Sequence, residues 1–214
     1  MLRLYDNKES RNGYKVVMLL NHLGVAFERV ELDIFKGESR TPEYLAKNPA
    51  GKIPALELED GTVLAESGAI LWYLAEGTDF LPEDRIGRAQ VLRWICFEQN
   101  AHETSIAEAR FILRHPELSE GREGTILAEK HRRGNAALAL MDQHLADNHF
   151  FAARRYTIAD IALYGYTQVA GEGGFDLRAN TRRSAPGWRA SPRSRGTCRH
   201  PKAKRARQAR GPGP

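Results

Sequence analysis

Cysteine is scarce in this 214-residue chain, present only as Cys96 and Cys198. Two thiols so far apart exclude a disulfide framework and a thiolate metal site, and they point to a reducing compartment. No run approaches 18 consecutive apolar residues, and Arg3, Asp6, Lys8, Glu9 and Arg11 interrupt the N-terminus where a signal peptide needs an apolar stretch. A soluble cytoplasmic protein with no membrane partner and no metal is therefore expected. Acid is missing from one end: residues 178–214 hold 12 of the 32 Lys and Arg and none of the 27 Asp and Glu. The rest of the chain carries 20 basic against 27 acidic side chains, a net of −7. The overall charge of +5 thus averages two unlike segments, and an acidic body is not expected to take nucleic acid as a partner.

The order of hydrophobic periods predicts the architecture. Leu2 to Tyr5 reads as a short strand. From Tyr14, Val16, Val17, Leu19, Leu20 and Leu23 recur at helical spacing, with Gly24 as the stop. Phe27 to Leu32 alternates apolar and charged residues like a half-buried strand. Thr41 as N-cap with Pro42 behind it opens a short helix. Ala55–Glu59 and Thr62–Ala65 read as strands joined by Asp60-Gly61, a favoured two-residue hairpin turn. A helix from about Glu66 to Glu76 ends at Gly77. The expected fold class is α+β: a thioredoxin-like βαβ-α-ββα domain over 1–77, a linker over 78–84 and an all-helical bundle domain over 85–177. Within the latter, helical periods run over 85–114, 123–147 and 157–169, broken at Pro116 and around Gly121–Gly124. Thr157-Ile-Ala-Asp160 has the form of a capping box.

Three places on this framework suit chemistry. Ile53-Pro54 stands where thioredoxin-like folds keep a cis proline, a bond found in only about 5% of X–Pro cases. Such a turn exposes the N–H and C=O of Ile53 for pairing with the cysteinyl backbone of a bound peptide. Glu66-Ser67 falls at a helix start, where unsatisfied N–H groups favour an α-carboxylate. Ser67 adds a hydroxyl and Glu66 can accept from the neighbouring α-ammonium, so the pair suits a γ-glutamyl group; it also fits an ordinary helix start. Ser10 and Asn12 lie in the loop after the first strand. A hydroxyl or amide there can stabilise a thiolate, and each 1.36 kcal/mol lowers a thiol pKa by one unit.

Together these residues resemble the glutathione transferase family. Asn48-Pro-Ala-Gly-Lys-Ile-Pro-Ala-Leu56 and Leu64-Ala-Glu-Ser-Gly-Ala-Ile-Leu-Trp-Tyr-Leu74 match its glutathione-site signature, and Tyr156-Thr-Ile-Ala-Asp-Ile-Ala-Leu-Tyr164 matches its helical-domain motif. The resemblance implies that Ser10 or Asn12 meets the glutathione sulfur, that Ile53 pairs through its backbone next to Pro54, and that Glu66 and Ser67 hold the γ-glutamyl end. Lys52 would face the glycyl carboxylate. Ser-Arg-Asn-Gly at 10–13 looks like the bacterial serine, theta-like or nu-like variants and lacks the cysteine of beta-type members. Any disulfide reduction would then pass between two glutathione molecules. The implied function is transfer of glutathione, as co-substrate, to a small hydrophobic electrophile by a homodimer. The alternatives are a glutathione-dependent disulfide or peroxide reductase and a non-catalytic binding or regulatory protein of the same fold. His102, Arg110 and Phe111, with Phe97 and Glu103, are candidates for the second-substrate pocket.

Residues 178–214 depart from the family, which ends in a further helix. Their Arg, Pro, Gly, Ala and Ser show no period, a composition expected to remain disordered. With synonymous codons chosen for it, Ala179–Cys198 admits a second open frame, QYPAVRAWLARVAAQPGHV, which has a proline start, helical apolar spacing and a Pro-Gly stop. A frameshift near residue 178 is the expectation, and sequencing the DNA across codons 170–200 tests it.

Overall fold

A computed structural model describes residues 1–119 and 121–177. The basic tail and change of frame expected from residue 178 lie outside the described residues. Strands β1 (Leu2–Asp6), β2 (Phe27–Glu31), β3 (Ala55–Glu57) and β4 (Val63–Ala65) form one sheet in the order β2-β1-β3-β4. β1 runs parallel to β2 and antiparallel to β3, and β3 is antiparallel to β4. Alternation along the strands sorts two layers. Leu4 and Leu56 pack with Val16, Leu20 and Ile70 on one face, whereas Tyr5 and Ala55 pack with Tyr44 on the other. Helices α1 (Arg11–Leu23) and α3 (Ser67–Ala75) thus cover the first face and α2 (Pro42–Lys47) the second. This is the thioredoxin-like unit.

Two local expectations change. α1 begins at Arg11 and not at Tyr14, because Ser10 is its N-cap and accepts from the Gly13 N–H at 3.2 Å. The hairpin connection is also longer than two residues. Gly61 N–H bonds to Leu58 O (3.1 Å) and Leu58 N–H to Thr62 O (2.8 Å), enclosing Glu59, Asp60 and Gly61. Gly61 takes φ 86°, the left-handed position such three-residue loops require.

From residue 85 the chain is helical: α4 (Arg85–Phe97), α5 (Glu103–Arg114), α6 (Thr125–Asp147) and α7 (Ile158–Thr167). The capping box at Thr157 and Asp160 is present, and Asp160 additionally accepts from Phe151 N–H at 3.1 Å. Leu19 of α1 and Leu71 and Ala75 of α3 join Trp94, Ile106, Ile161 and Leu163 in one cluster, so the sheet unit and the helical unit share an apolar core.

The continuous helix expected over 85–114 is interrupted by a π-helical stretch, Glu98–His102. The wider turn shifts the helix face by about a residue, as π-bulges do. Phe97 consequently packs edge-on against Trp94, while Glu98 and His102 turn inward and are buried.

Candidate functional site

The two units enclose two clefts that meet at Lys52, Ile53 and Thr104. The smaller, about 270 Å³, is polar and is lined by Asn12, Asn48, Pro54, Glu66, Ser67, Gln99 and Glu103 besides the shared residues. The larger, about 670 Å³, holds Ser10, Glu9, Ile34, Phe35, Arg110 and Phe111 among its walls.

Local structure explains the small cleft. The Ile53–Pro54 peptide is cis. The preceding carbonyl, of Lys52, is held by the Tyr44 hydroxyl (2.6 Å) and the Asn48 side-chain amide (2.8 Å), which fixes the turn beside the cleft. Glu66 sits at φ 66°, a conformation costing a non-glycine residue about 1–3 kcal/mol. That kink starts α3 without any side-chain cap, so its first N–H groups remain open to an anion beside the Ser67 hydroxyl.

Ser10 and Asn12 occupy different clefts. The Ser10 oxygen accepts from Gly13 N–H, which leaves its own proton free in the large cleft. The Asn12 amide is committed: its Nδ2 donates to Glu103 (2.7 Å), while its Oδ1 accepts from Lys15 (2.6 Å) and Ser67 (3.3 Å).

Beneath the small cleft lies a dry ion pair that sequence reasoning missed. Lys15, fully buried, donates to Glu98 Oε1 at 2.7 Å. Its stem passes α7 at Gly165, where an added Cβ would stand 2.8 Å from two Lys15 carbons, so glycine is needed. Gln99 Nε2 bridges Glu98 (2.7 Å) and Glu103 (2.9 Å). Burial works to raise the Glu98 carboxyl, but Lys15 and His102 outweigh it and hold it below the usual glutamate range. Glu103 is pushed up, chiefly by burial and further by the Glu98 charge. The only sequence signal was a lysine beside the apolar period of α1; its partner lies 83 residues away.

On the large cleft, Arg110 and Phe111 line the wall. Arg110 also reaches across to Glu9 O (3.4 Å) and pairs with Glu172 (2.6 Å). His102 does not line either cleft. It is buried, and its Nε2 lies 2.8 Å from Thr167 Oγ1, whose own proton goes to the Leu163 carbonyl (2.7 Å). The π-helical turn that buries it also places Phe97 in a separate shallow groove with Ala101 and Leu140. Among the described residues no group of His, Cys, Asp and Glu could hold a metal, and no helix is long and apolar enough to cross a membrane.

Family models match at both ends of this geometry: "Glutathione S-transferase, N-terminal domain" over residues 10–76 and "Glutathione S-transferase, C-terminal domain" over 103–186. Glutathione S-transferase 3 of Zea mays is 35% identical over 165 residues, covering 74% of this chain and 73% of that protein. Maleylacetoacetate isomerase of Rhizobium meliloti is 34% identical over 193 residues, covering 82% and 84% respectively. A glutathione S-transferase structure from Pseudomonas fluorescens superposes with a TM-score of 0.80 at 46% identity, covering 87% of this chain and 96% of that one.

Proposed function

The chain belongs to the glutathione S-transferase family, and on that footing we propose that it binds glutathione and directs its thiolate at an electrophilic small molecule. One observation carries the reading: the cis Ile53–Pro54 turn and the uncapped start of α3 face one polar cleft, which opens at Ile53 into the cavity holding Ser10. The γ-glutamyl carboxylate lies on Ser67 and the first α3 N–H groups, and the cysteinyl backbone pairs with Ile53. Lys52, shared by both clefts, takes the glycyl carboxylate.

Ser10 is then the side chain that meets the sulfur. Its free hydroxyl proton is a donor, whereas the amide of Asn12 is spent on Glu103. The start of α1 adds the positive end of a helix dipole. Together they hold the thiolate, and Phe35, Phe111 and Ile34 give the electrophile an apolar wall. The proton leaves to solvent, the sulfur forms the new bond, and the electrophile's leaving group departs with the bonding pair. We also propose a homodimer in the cytoplasm, with the groove at Phe97, Ala101 and Leu140 in its interface.

The test is retention of the full chain on immobilised glutathione, followed by conjugation of 1-chloro-2,4-dinitrobenzene. Ser10→Ala should lower kcat about 10–100-fold with a small change in KM, since it removes a contact to the reacting atom alone. An unchanged kcat would return the role to Asn12. Retention without turnover, including glutathione-dependent disulfide reduction, would favour a binding protein. A second reading is favoured by the Rhizobium relative, matched over most of both chains, and by Arg40, Lys52 and Arg114 around the large cleft. There the thiolate adds reversibly to an unsaturated acid and leaves after rotation about the former double bond.

A further inference from the structure

Tyr166, on α7, lines the large cleft and is 8% exposed there. The Lys15 ammonium lies 5.3 Å from the centroid of its ring and anchors it. One residue earlier, an added Cβ at Gly165 would stand 3.2 Å from the Arg11 carbonyl, so α7 runs close against the start of α1, which Ser10 caps. Arg11 itself and Arg110, which holds the Glu9 carbonyl just before Ser10, are near enough to act on the phenol electrostatically. Tyr166 thus stands by the end of the cleft assigned to the sulfur. Tyr5 and Tyr44 spend their hydroxyls on Glu57 and on Lys52 O, each at 2.6 Å. The Tyr166 hydroxyl has no hydrogen-bond partner among the described residues, and it is not sealed in like the partnerless Trp94 Nε1 and His102 Nδ1. It is therefore open to the cleft that the residue lines.

Other donors on this wall are engaged: Lys130 with Glu108 (2.7 Å), Arg110 with Glu172 (2.6 Å) and the Thr104 hydroxyl with Asn100 O (3.0 Å). Burial first, and then the Glu103 and Glu98 charges, raise the Tyr166 phenol, so its proton stays on the oxygen until a developing base takes it. A halide leaving group needs no such donor. An electrophile whose negative charge gathers on oxygen does. Resting on the glutathione reading above, we propose that Tyr166 is a catalytic residue of the large cleft, donating its hydroxyl proton to the carbonyl oxygen of an α,β-unsaturated ketone or aldehyde. The thiolate forms the C–S bond at the β carbon while the double-bond pair moves to the carbonyl oxygen. That oxygen takes the Tyr166 proton, and the resulting enol becomes the ketone or aldehyde in water. The phenolate regains a proton from solvent, which balances the one lost by the glutathione thiol.

The test compares two electrophiles that carry the same phenyl ring, benzylideneacetone, an enone, and benzyl chloride, on the full chain with saturating glutathione. Tyr166→Phe keeps the ring over Lys15 and removes only the unpartnered hydroxyl. It should lower kcat/KM for the enone about 100-fold, leave benzyl chloride within about twofold and leave KM for glutathione unchanged. A second measurement needs no variant: in the wild-type chain, kcat for the enone should fall in D2O relative to kcat for benzyl chloride. Equal losses on the two electrophiles in Tyr166→Phe, no loss on the enone, or an unchanged D2O ratio overturns the proposal. So does a wild-type chain that turns over benzyl chloride and not the enone. If the wild-type chain turns over neither and is not retained on immobilised glutathione, the glutathione reading fails and the proposal falls with it.

Discussion

Two ionic seams join the sheet unit to the helical unit, one on each side of the cleft, and they are built in opposite ways. Lys15–Glu98 under the small cleft is dry, with side chains 0% and 1% exposed. Glu9 with Arg110, Arg114 and Glu172 beside the large cleft is wet: Glu9 is 59% exposed and Arg114 38%. The dry seam lies under the small polar cleft, the proposed seat of the γ-glutamyl group. The wet seam borders the larger space, the proposed seat of the electrophile. A buried pair holds position because leaving it unpaired is expensive, whereas an exposed network can rearrange at little cost.

The largest effect should come from breaking the dry seam. Lys15→Met keeps the apolar stem and removes the ammonium, stranding Glu98, and should cost about 3–5 kcal/mol of stability in urea unfolding. Adding Glu98→Leu should restore most of it, because the cost lies in the unpaired charge. A single-variant loss below about 1 kcal/mol would place this seam with ordinary surface pairs and end the distinction. Next in size is Gly165→Ala, whose Cβ would stand 2.8 Å from the Lys15 stem. Displacing Lys15 should cost about 1–3 kcal/mol, the usual range for overpacking. The same change combined with Lys15→Ala should be near neutral relative to Lys15→Ala, which locates the effect in that contact.

These dry features were the least legible in the sequence. The Thr157–Asp160 cap could be read because both partners lie within one turn, and Ile53–Pro54 because element order assigned it a place. Lys15 could not, since periodicity describes one helix at a time and its partner belongs to another unit. The inward turn of His102 followed from the π-helical stretch, and no local signal in Glu98-Gln-Asn-Ala-His102 marks that change of pitch. The sequence put both Ser10 and Asn12 in a loop, whereas Ser10 is the N-cap of α1 and Asn12 lies in its first turn. Only the hydrogen bonds separated a free hydroxyl from an amide already in use.

A smaller effect should separate the two carboxylates of the dry seam by pH. Glu103 is raised in the folded chain, so between the ordinary glutamate value of 4.5 and its folded value the folded state binds more protons than the unfolded state. Its contribution is therefore greatest below that window and is lost as pH rises through it. Glu98 is lowered, so its contribution is present above 4.5 and is lost as pH falls through its folded value. The unfolding midpoint of Glu103→Gln, measured from pH 4 to 7, should fall less steeply with rising pH than that of the wild-type chain. An identical slope would mean that Glu103 titrates as an exposed group.

The smallest effect belongs to the wet seam. Arg114 reaches Glu9 at 3.0 Å and Glu172 at 2.8 Å, but Arg110 holds the same two acids from one turn earlier on α5. Arg114→Gln should therefore cost no more than about 1 kcal/mol, and that cost should shrink further in 0.5 M salt, where exposed charges are screened within a few ångströms. The loss in Lys15→Met should barely change with salt, because no counter-ion reaches a fully buried pair. Urea unfolding of both variants at low and high salt tests the contrast directly. A salt-insensitive loss of 2 kcal/mol or more in Arg114→Gln would mean that the wet seam is closed to solvent when the units dock. The large cleft would then be as rigid as the small one, which would count against its accepting varied electrophiles.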